Sequence, residues 1–553
     1  IMTRRHGLIR HAFLLLVLSF GLGLAGCEGD DGANGIDGAD GADGADGADG
    51  QACWDLNNNG VGDLPDEDIN NDGIVDVYDC NAYADGAYEI DQLHAGYFTE
   101  HPYEGTQSCL NCHGLMAEEV LQTAHFEWAG DAQGIEGLAG QTHGKKDILN
   151  NFCIGVPSNE GRCTQCHAGY GWADNTFEFE DRNNIDCLVC HDQTGDYAKA
   201  PTTAGLPADG VDLQAVARSV AMNGGKPTIE NCIDCHAFAG GGDNVKHGDI
   251  ALNLANTTTE YDVHMGQDAD FPLVCVDCHQ VQKDANDKLL SHGIGGMPYH
   301  SVEEGVMKDC VDCHGTAANI HAGKPVAITV ESHTTLACQV CHIPAIARER
   351  STKTEWYWDS AGEVRDPPNP PDPVDPTRVA FDRKKGDFVW AFNVRPTLRR
   401  FNGTWQKTVI GVNDTYEEGF GTPENPIVLG APVGSPDDGM IYPFKKMIGN
   451  QPADVGNRRI VTPHLFGTAG GPTPFWGNWD WVAALAEGAA ASGVEFSGEV
   501  GFVYTEMYLS VNHEVAPPEM AFGYDNGGCT DCHTNDQIDW AALGYDADPI
   551  NPD

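Results

Sequence analysis

A fold of short helices and irregular loops is what three observations in this sequence predict. Eight Cys-x-x-Cys-His pentapeptides occur in 553 residues. Seven of them fall between Cys109 and His342. Twelve further histidines lie outside the pentapeptides and the N-terminal leader, at His94, His101, His125, His143, His247, His264, His292, His300, His321, His333, His464 and His513. Each Cys-x-x-Cys-His is an attachment site for one c-type haem, its histidine serving as proximal iron ligand. The expected chain is mostly α and irregular loops wrapped around a closely packed eight-haem array, with a small N-terminal calcium-binding-like module.

The sites follow in order: Cys109/Cys112/His113, Cys163/Cys166/His167, Cys187/Cys190/His191, Cys232/Cys235/His236, Cys275/Cys278/His279, Cys310/Cys313/His314, Cys338/Cys341/His342 and Cys529/Cys532/His533. One pentapeptide is compatible with a zinc half-site. Eight are not, because a four-cysteine zinc site gives no reason for a histidine after every second cysteine. Sixteen of the 20 cysteines are used in this way, leaving Cys27, Cys53, Cys80 and Cys153. The pattern is that of a multihaem cytochrome c.

Residues 1–26 read as a lipoprotein signal peptide. Arg4, Arg5 and Arg10 form its charged region, and Ala12 to Leu24 its short apolar run, too short to span a bilayer comfortably. Leu24-Ala25-Gly26-Cys27 resembles a bacterial lipoprotein box, which implies a lipid anchor at Cys27. An ordinary signal peptide with a chance cysteine is the alternative. Residues 27–52 are nearly all Gly, Ala and Asp and read as a charge-extended tether. Residues 53–80 carry two calcium-like loops. Asp55, Asn57, Asn59, Asp63 and Asp66 make the first, and Asp68, Asn70, Asp72, Asp76 and Asp79 the second. Hard oxygens at alternate positions around Gly60 and Gly73 are what Ca²⁺ needs. Cys53 and Cys80 bracket the pair and can close a disulfide in an oxidising compartment. An acidic unstructured linker is the plainer alternative.

The formal charge is -52, and removing the leader takes three arginines and no acid, giving -55. Phosphate binding needs a basic face, so nucleic acid is excluded as a partner. Such a surface keeps the chain soluble and steers cationic redox partners. Export, tether and charge together place the protein at the outer membrane, the cell surface or outside, with the periplasm as second choice.

Seven haems over residues 88–345 leave few amino acids per haem, so the macrocycles themselves form much of the core. Close packing makes the array a conductor. The distal ligands separate wire from enzyme: a haem with two protein ligands only passes electrons, and one with an open position does chemistry. The twelve histidines suffice for a protein with two histidines on every iron.

Several stretches carry a resemblance. They are Gly144-Lys145-Lys146 through Asn150-Asn151-Phe152-Cys153, Asn184-Ile185-Asp186, Val245-Lys246-His247-Gly248-Asp249, Ile343-Pro344 and Val511-Asn512-His513. On them the chain from about residue 105 to its end resembles the octahaem tetrathionate reductase family of cytochromes c. The resemblance implies distal histidines at His125, His247, His264, His292, His321, His333 and His513. It also implies that the second haem is the active one, ligated by Lys145 or, as second choice, Lys146. An amine ligand must be neutral, and a sulfur or nitrogen oxyanion could displace it. Against this stands ligation by His101 or His143, with both lysines as solvated charges. His94 and His300 are further candidates. His94 and His101 could also reach a haem of a neighbouring copy, making a conducting filament.

Residues 346–508 hold no attachment site and read as an insert wrapping the core. Asp366 to Pro376 is a Pro- and Asp-rich surface loop, and Trp390, Trp405, Trp476, Trp479 and Trp481 are core aromatics. Residues 480–491 read as a helix capped by Asp480. Residues 509–553 carry the eighth site. Three functions are in view: extracellular electron transfer to partner cytochromes or external acceptors, reduction of tetrathionate, nitrite or hydroxylamine, and a homopolymeric wire.

Overall fold

Two cysteines three residues apart share one face of a single helical turn, and the pentapeptides fold accordingly. In the computed structural model they form short helices. These include Gln107–Val120 (α1), Leu188–His191 (α2), Ile229–His236 (α3), Cys275–Cys278 (α4), Cys310–His314 (α5) and Cys338–His342 (α6). The residue between the cysteines often closes the turn. Asp277 accepts from Val274 N at 2.8 Å, and Asp312 from Asp309 N at 2.7 Å. Such side-chain acceptors satisfy amides that the first turn leaves without partners.

The structure describes residues 90–279, 281–283, 289–294, 307–466, 474–524, 528–533 and 538–550. All belong to one unit, residues 51–553. The leader, Cys27, the tether, the calcium-loop residues, Cys53, Cys80 and His300 lie outside the described residues. Among the described residues no helix is long and apolar enough to cross a membrane.

A helix at Ile90–Glu100 precedes the first site. Its Phe98 is buried with Leu188, Tyr197, Val216 and Ala217. Gln214 clamps its end, donating to the His101 carbonyl at 3.0 Å and accepting from Tyr103 N at 2.6 Å.

The segment after His342 corrects the mostly-α expectation. It folds as a nine-stranded sheet among the described residues. Its strands are Thr352–Tyr357 (β1), Phe381–Asp382 (β2), Gly386–Ala391 (β3), Thr397–Phe401 (β4), Thr404–Lys407 (β5), Ile427–Val433 (β6), Met440–Asp454 (β7), Arg459–Ile460 (β8) and Val500–Ser510 (β9). The order is β2-β3-β1-β7-β9-β6-β5, with β4 and β8 also on β7. β7 runs antiparallel to β9 from Phe444↔Ser510 to Asp454↔Val500. Threonines, valines and aromatics favour a pleated, packed surface. Here they outweigh the helix formers, which gather in Trp481–Ser492 (α7). Asp480 caps α7, accepting from Ala483 N at 3.1 Å, as the sequence predicts.

Trp356 and Trp358 stack at 5.2 Å in the sheet's core, with Phe388, Trp390, Met447, Met507 and Phe475. The same cluster takes in Leu149, Phe152, Ile154 and Val245 from the cysteine-rich part. Buried polar bonds lock the two together. Trp358 Nε1 donates to Phe152 O at 3.0 Å, Asn151 Nδ2 to Met447 O at 2.8 Å, and Lys445 Nζ to Val245 O at 2.6 Å. The sheet is therefore a rigid backing for residues 144–160 and 245–249.

Candidate functional site

Seven of the eight pentapeptide histidines face a second histidine ring. The ring centres lie 5.9 Å apart for His113 and His94, 6.2 Å for His236 and His125, and 6.2 Å for His191 and His292. They lie 5.9 Å apart for His314 and His264, and 6.2 Å for His279 and His513. The last two are His342 with His321 at 6.1 Å and His533 with His333 at 6.2 Å. An imidazole nitrogen sits about 2 Å from a first-row metal, so two rings gripping one ion from opposite sides have centres about 6 Å apart. Each pair fits one iron, with the pair of attachment cysteines beside it.

The far ring nitrogens support that reading. His191 Nδ1 is 2.9 Å from Gly225 O, His321 Nδ1 2.7 Å from Ala317 O, and His333 Nδ1 2.7 Å from Thr329 O. His533 Nδ1 is 2.5 Å from Asp548 Oδ1, and His513 Nδ1 is 3.2 Å from Asp249 Oδ2. A donor bond on one nitrogen fixes the tautomer that leaves the other free for metal. Burial pushes His113 down to about 4 and His236 to about 3, so both rings stay neutral, as ligation requires.

Six of the seven histidines implied as distal ligands sit in these pairs. His247 does not. It is buried beside Lys246 and His236, on a turn whose Val245 and Lys246 carbonyls are tied to Lys445 Nζ. Gly248 follows it at φ +86°. That turn keeps His247 on the sheet. The ring opposite His113 is His94, which the Ile90–Glu100 helix carries to the first site. His101 packs against the Tyr97 ring at 4.5 Å, and His143 is bonded to Asp147 at 2.8 Å. Neither faces a pentapeptide histidine.

The second site differs. His167 faces no histidine among the described residues. Its ring is enclosed by Phe126 at 5.1 Å, Trp128 at 5.4 Å, Trp172 at 5.0 Å, Phe177 at 5.7 Å and Phe179 at 6.3 Å. Burial pushes it down to about 3, and Nε2 donates to Phe126 O at 2.5 Å. Lys145 Nζ lies 3.7 Å over the Trp128 ring, and Lys146 Nζ 5.3 Å over Phe179. Both lysines thus border the aromatic box from its rim. The sequence reading missed this box, although Phe126 and Trp128 before the site and Trp172, Phe177 and Phe179 after it signal it. Burial raises the Cys153 thiol above its usual range, which suits an inert side chain.

Cysteines of different sites come close together. Cys109 is within hydrogen-bond reach of Cys187, Cys166 of Cys235, Cys232 of Cys275, and Cys310 of Cys338. Cys190 and Cys232, Cys278 and Cys313, and Cys341 and Cys532 are close enough to interact electrostatically. The sites therefore run first, third, fourth, fifth, sixth, seventh, eighth, and the second branches from the fourth.

Eight attachment motifs, seven of them with a second histidine ring facing the first, define a c-type cytochrome with a redox role. The structure matches the crystal structure of octaheme cytochrome c from Shewanella oneidensis with a TM-score of 0.70 and 34% identity, covering 83% of this chain and 97% of that one. A bacterial cytochrome c family matches residues 353–536. An uncharacterized protein of Archaeoglobus fulgidus is 26% identical over 225 residues, 32% of this chain and 73% of that one. The chain belongs to the octaheme cytochromes c.

Proposed function

We propose that the protein carries electrons over a long range through eight haems, seven of them closed by two histidines, and delivers them at the cell exterior. Haem bound at these motifs supplies one-electron redox chemistry. The chain's part is to hold each ring pair and place the attachment cysteines of successive sites close together. That succession of neighbouring sites from Cys109 to Cys532 is the observation that carries the reading. The lipid anchor at Cys27, the calcium loops of residues 53–80 and a net charge of -52 suit an outer-membrane or extracellular location, with cationic partners or external acceptors.

A second reading stands on the second site. His167 faces no histidine among the described residues, and Lys145 stands at the rim of its aromatic box. We propose that an oxyanion of sulfur or nitrogen, such as tetrathionate or nitrite, or else hydroxylamine, is reduced there, fed by the branch from the fourth site. Lys145 is the residue that closes the position at rest or meets the substrate, with Lys146 as its neighbour.

Dye-reduced, haem-loaded protein mixed with each substrate tests both readings. Oxidation of all haems by one substrate, lost in Lys145→Ala but kept in Lys146→Ala, supports the reductase. No oxidation by any of them, with rapid electron exchange to a cationic cytochrome, leaves the conductor alone.

A further inference from the structure

We propose that Asp249 makes the fifth site, Cys275/Cys278/His279 with His513, a low-potential step that divides the array into two electron pools. The inference rests on the ligand pairs assigned above. Asp249 Oδ2 accepts from Asn512 N at 2.8 Å and His513 N at 2.9 Å, and lies 3.2 Å from His513 Nδ1. The carboxylate is 1% exposed. Its other oxygen, Oδ1, is buried with no hydrogen-bond partner among the described residues. Lys445 is near enough to feel the charge, yet its three donors go to Val245 O, Lys246 O and Thr352 Oγ1, at 2.6, 3.1 and 2.6 Å. The negative charge is thus left facing the ligand.

A carboxylate on the far nitrogen draws the Nδ1 proton and raises the basicity of the metal-binding nitrogen. Stronger donation and a buried negative charge both favour ferric over ferrous iron. At His191, His321 and His333 the same nitrogen meets a neutral backbone carbonyl, whose pull is weaker. Asp548 gives the eighth site a similar partner at the end of the path. Glu119 stands 3.5 Å from His292 and is a quarter exposed, where water weakens its effect.

Position gives the fifth site its consequence. Electrons moving from the Cys232/Cys235 site to the Cys310/Cys313 site must cross it. Each hop oxidises one site and reduces the next by one electron, and the shared proton stays on His513 Nδ1. A low-potential crossing lets the first four sites equilibrate among themselves faster than with the last three. Gly248 fixes the arrangement: its φ is +86°, and a Cβ there would meet Ile346 Cδ1 at 2.8 Å.

Potentiometric titration of full-length, haem-loaded Asp249→Asn and Asp249→Glu, followed by visible and electron paramagnetic resonance spectra, tests this. One midpoint should rise in Asp249→Asn and stay near the parent in Asp249→Glu, with every low-spin signal retained. The rising midpoint should belong to the haem that His513→Ala turns high-spin. Unchanged midpoints in Asp249→Asn, or a rise at another haem, overturn the proposal. A His513→Ala protein that keeps all its low-spin signals instead overturns the ligand pairs, and the proposal with them. Should Asp249→Asn fail to load haem, Asp548→Asn carries the test: a rise in the eighth site's midpoint supports carboxylate control, and no rise refutes it.

Discussion

Replacing His94 by alanine tests the pairing at the first site. The structure places seven histidine pairs across pentapeptide rings, and His94 completes only the one with His113. Opening it should convert about one-seventh of the two-histidine, low-spin signal to high-spin, leaving the other six pairs intact. The helix itself should persist. Alanine is a better helix former than histidine, and Phe98 still anchors the segment against Val216 and Leu188. Quantitative electron paramagnetic resonance of the oxidised protein reads the fraction directly. His247→Ala is the matched control, because His247 lies beside His236 but forms no ring pair with it, His125 taking that place. Loss of low-spin signal in His247→Ala, with none in His94→Ala, would refute the assignment and restore the ligand set implied by resemblance.

Trp358→Ala removes a buried ring stacked on Trp356 and the bond to Phe152 O, and should cost about 3–5 kcal/mol in denaturant melts followed by tryptophan fluorescence. Asp480→Ala removes the cap of α7 and should cost about 1 kcal/mol, seen as a small drop in thermal midpoint by circular dichroism. Burial pushes the Lys445 amine down to about 7. Its unfolded value is about 10.4, so between those pH values the unfolded chain binds more protons and stability rises with pH. Lys445→Met should flatten that slope in urea melts at pH 7.5 and 9.5, chosen as about the middle of the window.

The attachment sites were legible because the chemistry is local: five consecutive residues hold two thioethers and one ligand. The helices at these sites followed from the same spacing. The second ligands were not legible from spacing, because packing brings them in. His513 meets His279 from 234 positions further along the chain (513 − 279), and His94 reaches His113 only once Phe98 and Gln214 have docked the Ile90–Glu100 helix. His247 had the better sequence credentials, but the Lys445 bonds to Val245 and Lys246 hold its turn elsewhere. The sheet was hidden for a different reason. β7 is buried on both faces and carries Lys445, Asn450 and Gln451 at buried positions, so it shows no alternation of polar and apolar residues. The helix α7, with its Asp480 cap and alanine-rich run, announced itself.

The central claim is that seven sites are closed by histidine pairs and that the eighth, at His167, which no histidine among the described residues faces, binds ligand. The most direct measurement is electron paramagnetic resonance of oxidised, full-length protein titrated with cyanide. The account predicts that one signal in eight shifts, that Lys145→Ala alters that same signal, and that the seven histidine-paired signals ignore the ligand. A titration that moves no signal, or moves several, would contradict it.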